Sequence, residues 1–130
     1  KLFFSIHPRT AQIIKTNQIT FSNEIEILEP LPYLSFLKLM RDSKIIFTDS
    51  GGIQEESTSL KIPCYTLREN TERPITISQG TNRLVKPKKE NIISMFKKYR
   101  FNVNSDYKLP DGWDGKTSQR ILKIIDKVLL

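Results

Sequence analysis

Residues 45–56 read Ile-Ile-Phe-Thr-Asp-Ser-Gly-Gly-Ile-Gln-Glu-Glu, and this stretch decides the fold. Its apolar start predicts a short buried strand over residues 44–48, because the run is too short for an ordinary helix. Ser50 is a favourable helix-capping residue, so a helix is predicted over residues 50–60. A strand that leads directly into a helix is typical of an α/β protein with a parallel sheet.

Gly51 and Gly52 stand at the start of this predicted helix. Each glycine in a helix costs about 0.5–1 kcal/mol relative to alanine, so the pair needs a reason. One explanation is that a diphosphate binds the unpaired first-turn N–H groups of Ser50, Gly51 and Gly52. The other is a tight turn that needs glycine only for packing, and local sequence leaves both open. The pattern is neither G-x-G-x-x-G nor a P-loop, so neither type of site is supported.

Two acidic residues, Glu55 and Glu56, follow in the predicted helix. They could stabilise the helix dipole, which contributes about 0.3–1 kcal/mol near an N-terminus. One of them could instead accept the hydroxyls of a ribose, as acids do in other nucleotide-binding α/β domains. Periodicity does not choose between these alternatives.

Strands and helices alternate along the rest of the chain. Strands are predicted over residues 2–6, 24–28, 44–48, 63–66 and 83–85, and helices over residues 10–15, 33–40, 50–60, 90–99 and 117–129. This order predicts one α/β domain over residues 1–130, with a parallel sheet and helices on both of its faces. Ligands of such sheets bind outside the carboxyl ends of the strands, where His7, residues 49–52 and residues 67–73 are expected.

Composition excludes several classes of protein. The 130 residues carry a net charge of +7, but the basic residues are spread out and not interleaved with aromatic ones, which disfavours a nucleic-acid module. No apolar run approaches the roughly 20 residues of a membrane span. One cysteine, Cys64, and one histidine, His7, leave no disulfide and no protein-only zinc site. A single cysteine fits a reducing compartment, so a cytoplasmic location is expected.

The order and spacing of several segments resemble a known family. These segments are His7-Pro-Arg-Thr10, Glu29-Pro-Leu-Pro-Tyr-Leu-Ser-Phe36, Thr48-Asp-Ser-Gly-Gly-Ile-Gln-Glu-Glu56, Arg68-Glu-Asn-Thr-Glu-Arg-Pro74, Gly80-Thr-Asn-Arg-Leu-Val85 and Trp113-Asp-Gly-Lys116. Together they resemble the C-terminal domain of the non-hydrolysing UDP-N-acetylglucosamine 2-epimerases. The resemblance implies a Rossmann-like domain that is one half of a glycosyltransferase-B-like fold. It also implies conversion of UDP-N-acetylglucosamine to UDP-N-acetylmannosamine, by elimination and re-addition of UDP, without a cofactor.

The resemblance assigns a substrate-binding role to most of the unusual residues in the middle of the chain. It implies that Ser50, Gly51 and Gly52 bind the diphosphate and that Glu56 holds the ribose hydroxyls. Arg73 would add positive charge near the phosphates. Its local alternative is an ion pair with Glu69 or Glu72, which would contribute only about 0–1 kcal/mol if exposed.

Two residues near the start of the chain complete the expected site. The resemblance implies that His7 contacts the phosphates and assists the departure of UDP, as the one catalytic residue expected here. It places Phe36 near the uracil. Phe36 also lies on a helical apolar stripe, so packing in the core explains it equally well from spacing alone.

The family's proton-transfer carboxylates lie in an N-terminal domain, and no substitute for them is visible here. The chain begins at Lys1 without methionine, directly in an apolar run, which suggests a piece of a longer protein. We therefore expect this chain alone to bind UDP weakly and not to epimerise. Alternatives are a free-standing UDP-sugar-binding subunit, or a glycosyltransferase-type nucleotide-sugar domain on the same fold. A homodimer is also possible, and the apolar stripe of residues 117–129 could be exposed or packed on its own domain.

Overall fold

The computed structural model describes residues 1–101 and 107–129. The chain forms two compact units, Lys1–Leu39 and Met40–Leu130. Strands and helices alternate through most of both units, as the sequence predicted.

The first unit contains a parallel pair of strands. β1 (Leu2–Ser5) pairs with β2 (Ile25–Leu28), and the helix α1 (Pro8–Thr16) connects them. A connection through a helix is what parallel neighbours require, because a short hairpin cannot join them. A further helix, α2 (Tyr33–Arg41), follows a proline-rich turn and extends past Leu39.

β1 is more exposed than the sequence predicted. Residues 2–6 were expected to form a buried strand, but Leu2, Phe3 and Phe4 are 53%, 45% and 36% exposed. An apolar run shows that a strand can be buried, but only the elements packed on its faces bury it. Within the described residues, β1 is not covered to that extent.

The second unit contains a three-stranded parallel sheet in the order β3-β4-β5. Its strands are β3 (Ile46–Thr48), β4 (Cys64–Thr66) and β5 (Asn82–Leu84). Its helices are α3 (Gly51–Ser59), α4 (Pro74–Ser78), α5 (Lys89–Phe101) and α6 (Thr117–Leu129). The central strand β4 is fully buried, and the rings of Phe47 and Tyr65 stack at a centroid distance of 5.4 Å.

The elements agree with the sequence-based boundaries to within one or two residues, apart from α4. α4 was not predicted, because a helix of five residues is too short to show periodicity. A single sheet was expected, whereas the strands of the described residues pair in two separate ladders, one in each unit. None of the helices in those residues combines the length and apolar character that a membrane span requires.

Candidate functional site

The turn between β3 and α3 brings together the backbone groups expected to bind a diphosphate. Ser50 occupies the capping position with an extended backbone, and its N–H donates to the Thr48 Oγ1 at 3.1 Å. Its side chain makes no capping hydrogen bond to the described part of α3. Capping side chains normally satisfy the N–H groups of a first turn. The Ser50 side chain therefore leaves the first turn of α3 uncapped, whereas the Ser50 N–H itself is already engaged by Thr48.

The two glycines of this turn are not explained by packing. Both lie inside α3, where any residue can adopt the backbone conformation. A Cβ atom added at Gly52 would meet no described atom within 4 Å. One added at Gly51 would meet only the Arg73 guanidinium, at an ordinary contact distance of 3.9 Å. Of the two explanations for the glycine pair, close approach of a ligand is the one that this geometry supports.

Arg73 places a positive charge beside Gly51. Its Nε lies 3.0 Å from Glu55 Oε1 in an ion pair, and its Nη1 lies 3.8 Å from Glu72 Oε2. Glu72 was one of the two partners that the sequence suggested, but Glu55 is the nearer one. The other, Glu69, lies 3.8 Å from the Lys86 Nζ instead. We call the set of Ser50, Gly51, Gly52 and Arg73 the anion site.

The two acidic residues of α3 lie on different faces of the helix. Residues four apart share a face, so Glu55 lies one turn below Gly51, and Glu56 lies one turn below Gly52. Glu55 is engaged by the Arg73 guanidinium, which also covers Gly51. Glu56 is half-buried on the face where Gly52 is open. This arrangement separates two carboxylates that periodicity alone could not distinguish, and it favours Glu56 as the group facing a ligand.

His7 and Phe36, the other two expected site residues, belong to the first unit. His7 follows β1 and caps α1, and its Nδ1 accepts from the Arg9 N–H at 3.2 Å. A neutral imidazole that accepts at Nδ1 carries its proton on Nε2, so an exposed N–H donor remains. Phe36 is half-buried on α2. The structure thus places His7 at the start of α1 and Phe36 within α2, and the contacts of both residues with substrate stay predictions.

A buried amide, Gln54, lies directly beneath the anion site. Its Nε2 donates to the Ser50 carbonyl at 3.3 Å. Its Oε1 accepts from the Thr71 hydroxyl at 2.6 Å and from the Asn82 Nδ2 at 2.9 Å. Gln54 is fully buried, so these bonds replace those that water would make.

A second buried amide, Asn82, continues the same network. Its Oδ1 accepts from the Thr66 hydroxyl at 2.6 Å, and its Nδ2 also donates to the Thr76 Oγ1 at 3.1 Å. Sequence analysis gave no role to Gln54 or Asn82. Both stand in segments that carried the resemblance, but an amide side chain shows no sign in sequence of whether it is buried.

Cys64 was expected to be a small buried hydrophobe, and it is fully buried in β4. Burial raises the pKa of its thiol, while hydrogen bonds involving Ser57 and Thr66 act in the opposite direction. A raised pKa keeps the thiol protonated near neutral pH, which makes it a poor nucleophile.

The residues that the structure describes hold no cluster of metal-binding side chains, and an open groove among them lies apart from the anion site. Within residues 1–101 and 107–129, no three His, Cys, Asp or Glu side chains cluster in a way that could hold a metal ion. An open groove of about 510 Å³ is lined by residues 77–80, Arg83, residues 107–109 and Asp111. It shares no residue with the anion site, so the two are separate features of the second unit.

Comparisons with known proteins give a consistent family match. Residues 1–126 match the UDP-N-acetylglucosamine 2-epimerase family. The UDP-N-acetylglucosamine 2-epimerase of Methanocaldococcus jannaschii is 43% identical over 128 residues, which are 95% of this chain and 34% of that protein. The enzyme of the same name from Campylobacter jejuni is 36% identical over 126 residues, covering 94% of this chain and 33% of that protein.

Solved structures give the same result. The M. jannaschii enzyme in complex with UDP-GlcNAc and UDP superposes with a TM-score of 0.79 at 42% identity, over 96% of this chain and 35% of that chain. The Neisseria meningitidis enzyme bound to UDP-GlcNAc gives 0.73 at 32% identity, over 96% and 36%. These likenesses confirm the α/β, Rossmann-like fold of the glycosyltransferase-B type. The chain spans about a third of the length of the relatives it matches.

Proposed function

The chain belongs to the UDP-N-acetylglucosamine 2-epimerase family, and from this premise we propose that it binds the UDP part of UDP-N-acetylglucosamine. The enzyme to which it contributes would invert C2 of the sugar and yield UDP-N-acetylmannosamine. The observation that carries the proposal is the open Gly52 at the start of α3, with the Arg73 guanidinium beside the neighbouring Gly51. Both relatives' structures described above contain UDP-GlcNAc, which supports this choice of ligand.

The anion site has the electrostatics that such a reaction needs. Elimination of UDP breaks a C–O bond and leaves negative charge on the diphosphate. First-turn N–H groups and a guanidinium fixed beforehand stabilise that charge without reorganising during the reaction. Because Gly51 and Gly52 lack side chains, phosphate oxygens can reach the backbone of α3 directly. The same groups would hold UDP in place until it adds back to the sugar.

Glu56 is proposed to accept the ribose hydroxyls. It lies one helical turn, about 5.4 Å, below Gly52 on the same face of α3. A ribose attached to a diphosphate at Gly52 would therefore extend along α3 towards this carboxylate. Glu55 is not proposed for this role, because it already pairs with Arg73 at 3.0 Å.

His7 and Phe36, in the first unit, are each proposed to contact the substrate. With its Nδ1 occupied by the Arg9 N–H, His7 would donate from Nε2 to a phosphate oxygen and so favour the departure of UDP. Phe36 would contact the uracil through its half-exposed ring. Both assignments rest on the positions of these residues within motifs that resemble the family's own.

The proton transfers at C2 need acid–base groups that we place in the rest of the enzyme, because this chain spans only about a third of its relatives. We therefore propose that the chain alone binds UDP weakly and does not epimerise. We also propose that the enzyme is cytoplasmic and forms a homodimer. An epimerase is favoured over a glycosyltransferase because the relatives described above are epimerases.

The proposal is tested by filling the open space at Gly52. Gly52→Val should abolish UDP binding, measured by calorimetry, because its methyl groups would occupy the position of the phosphate. The fold should survive, since no described atom lies within 4 Å of the added Cβ. Ser59→Val is the matched control, because Ser59 is exposed at the other end of α3 and should leave affinity unchanged. Wild-type affinity in Gly52→Val would exclude a diphosphate at this helix start.

A further inference from the structure

The buried centre of the second unit is unusually polar. Its largest fully buried side chains include two amides and several hydroxyls, rather than the aliphatic groups that normally fill a core. They are Gln54, Asn82, Thr58, Thr66, Thr76 and Thr81. Burying polar groups is unfavourable unless they are hydrogen-bonded, so this composition needs a reason. The hydroxyls of Thr58 and Thr81 have no partner among the described residues, whereas Gln54, Asn82, Thr66 and Thr76 belong to one hydrogen-bonded network.

The network ends on the backbone of Arg73 from both sides. The Arg73 N–H donates to the Thr71 Oγ1 at 2.9 Å, and the Arg73 carbonyl accepts from the Thr76 hydroxyl at 2.7 Å. Gln54 orients the Thr71 hydroxyl by accepting a hydrogen bond from it. Asn82 orients the Thr76 hydroxyl by donating a hydrogen bond to its oxygen. The Thr71 hydroxyl is thereby left to accept from the Arg73 N–H, and the Thr76 hydroxyl is left to donate to the Arg73 carbonyl.

The same network also reaches the other half of the anion site. Gln54 donates to the Ser50 carbonyl, at the turn where α3 begins. Gln54 and Asn82 are themselves joined by a hydrogen bond of 2.9 Å. One pair of amides therefore holds the helix start and the arginine in a fixed relation, although neither amide belongs to the anion site itself.

We propose that Gln54 and Asn82 are positioning residues, which hold the Arg73 backbone through Thr71 and Thr76 so that its guanidinium stays beside Gly51. The inference rests on the proposed binding of UDP at the anion site. Arg73 needs such support because its side chain is otherwise held by ion pairs that are partly exposed to solvent. A charge that stabilises an anion acts best when it does not have to reorganise.

The test measures UDP affinity in the full chain by calorimetry, with thermal unfolding as a parallel record of stability. Thr76→Val, which keeps the side-chain shape and removes the hydroxyl, should weaken UDP binding about fivefold, within the range for residues in contact. Thr76→Ser should restore affinity to within about twofold, because it restores the hydroxyl. If Thr76→Val does not fold, Thr71→Val serves instead, since Thr71 is only half-buried.

Two further variants separate positioning from general damage. Ser57→Ala removes another fully buried hydroxyl, which donates to the backbone carbonyl of Gln54 at 3.1 Å and not to the side-chain amide that forms the network. This variant should leave UDP affinity unchanged. In an Arg73→Met background, Thr76→Val should no longer weaken binding, because the guanidinium it positions is gone.

The outcomes distinguish the two proposals. An equal loss from Thr76→Val with and without Arg73, or a loss from Ser57→Ala as large as that from Thr76→Val, would overturn the positioning role. If wild-type protein does not bind UDP, or if Arg73→Met binds it as wild type does, the assignment of the anion site fails instead. Loss in Thr76→Val, rescue in Thr76→Ser and no additional loss beyond Arg73→Met would together support the inference.

Discussion

The interior beneath the anion site and the surface of α6 reverse the usual distribution of side chains. Gln54 and Asn82 are fully buried beneath the anion site. On α6, by contrast, large apolar side chains are exposed, with Ile124 at 61% and Val128 at 76%. No described residue of α6 is buried. The amides of Gln54 and Asn82 are hydrogen-bonded within the interior, although the hydroxyls of Thr58 and Thr81 have no partner among the described residues. The apolar surface of α6, by contrast, has no cover among those residues.

The difference shows which region is complete within this chain. The donors and acceptors of Gln54 and Asn82 find partners in α3, β4, α4 and the loop before it. Such a network is specific, because each bond fixes an orientation, and this suits a region that must place charges accurately. The apolar stripe of α6 is not held by such directional bonds. The free energy of unfolding should therefore depend little on any one apolar side chain of α6.

The largest expected effect comes from placing an apolar group in the polar interior. Asn82→Leu removes bonds to Thr66, Thr76 and Gln54, and its larger side chain must also be accommodated. We expect the free energy of unfolding to fall by about 2–4 kcal/mol, measured by urea denaturation. A change below about 0.5 kcal/mol would mean that water enters the interior and that the network is not tightly closed.

The reverse substitution on α6 should have a much smaller effect. Ile124→Asn places a polar group where the side chain is already 61% exposed. We expect the free energy of unfolding to change by no more than about 0.5 kcal/mol, as for most surface substitutions. The measurement should be made at a concentration at which sedimentation shows a monomer. A loss above about 1.5 kcal/mol would show that α6 is covered in solution, and the contrast between the two regions would disappear.

Sequence reasoning was most informative where a residue breaks a local rule. Gly51 and Gly52 are unfavourable in a helix, which drew attention to the start of α3, and the structure shows that packing does not require Gly52. The parallel strands and long helices followed from their periodicity and from the turn residues between them. The residues predicted for the anion site therefore lie together in the second unit.

The rest could not be predicted, for identifiable physical reasons. Gln54 and Asn82 belong to residue types that are mostly exposed, and only the tertiary structure buries them. Periodicity treats Glu55 and Glu56 alike, and before the structure only the resemblance favoured Glu56; the position of Arg73 now distinguishes the two carboxylates physically. An amphipathic pattern gives the apolar face of α6 but not what covers it. For that reason sequence left its exposure open.

The smallest expected effect concerns how α6 is held at its start. Asp114 accepts from the Lys116 N–H at 3.0 Å and pairs with the Arg120 Nη1 at 2.9 Å, while Arg120 Nη2 donates to the Gly112 carbonyl. The Lys116 N–H, followed by Arg120, holds the pKa of the Asp114 carboxyl below its ordinary value. A carboxyl whose pKa is lowered by folding stabilises the folded state above its unfolded pKa. That contribution is lost as the pH falls through the lower, folded value.

Amide exchange in the first turn of α6 should therefore accelerate as the pH is lowered from about 4, relative to the exchange expected for an unstructured chain. Asp114→Asn should remove this dependence, since its amide does not titrate, and added salt should reduce the effect in wild type because the pair is exposed. If protection is instead independent of pH and salt, α6 is held by its apolar face and not by these polar contacts. The stripe would then have to be covered in solution, and the contrast with the buried polar network would need to be revised.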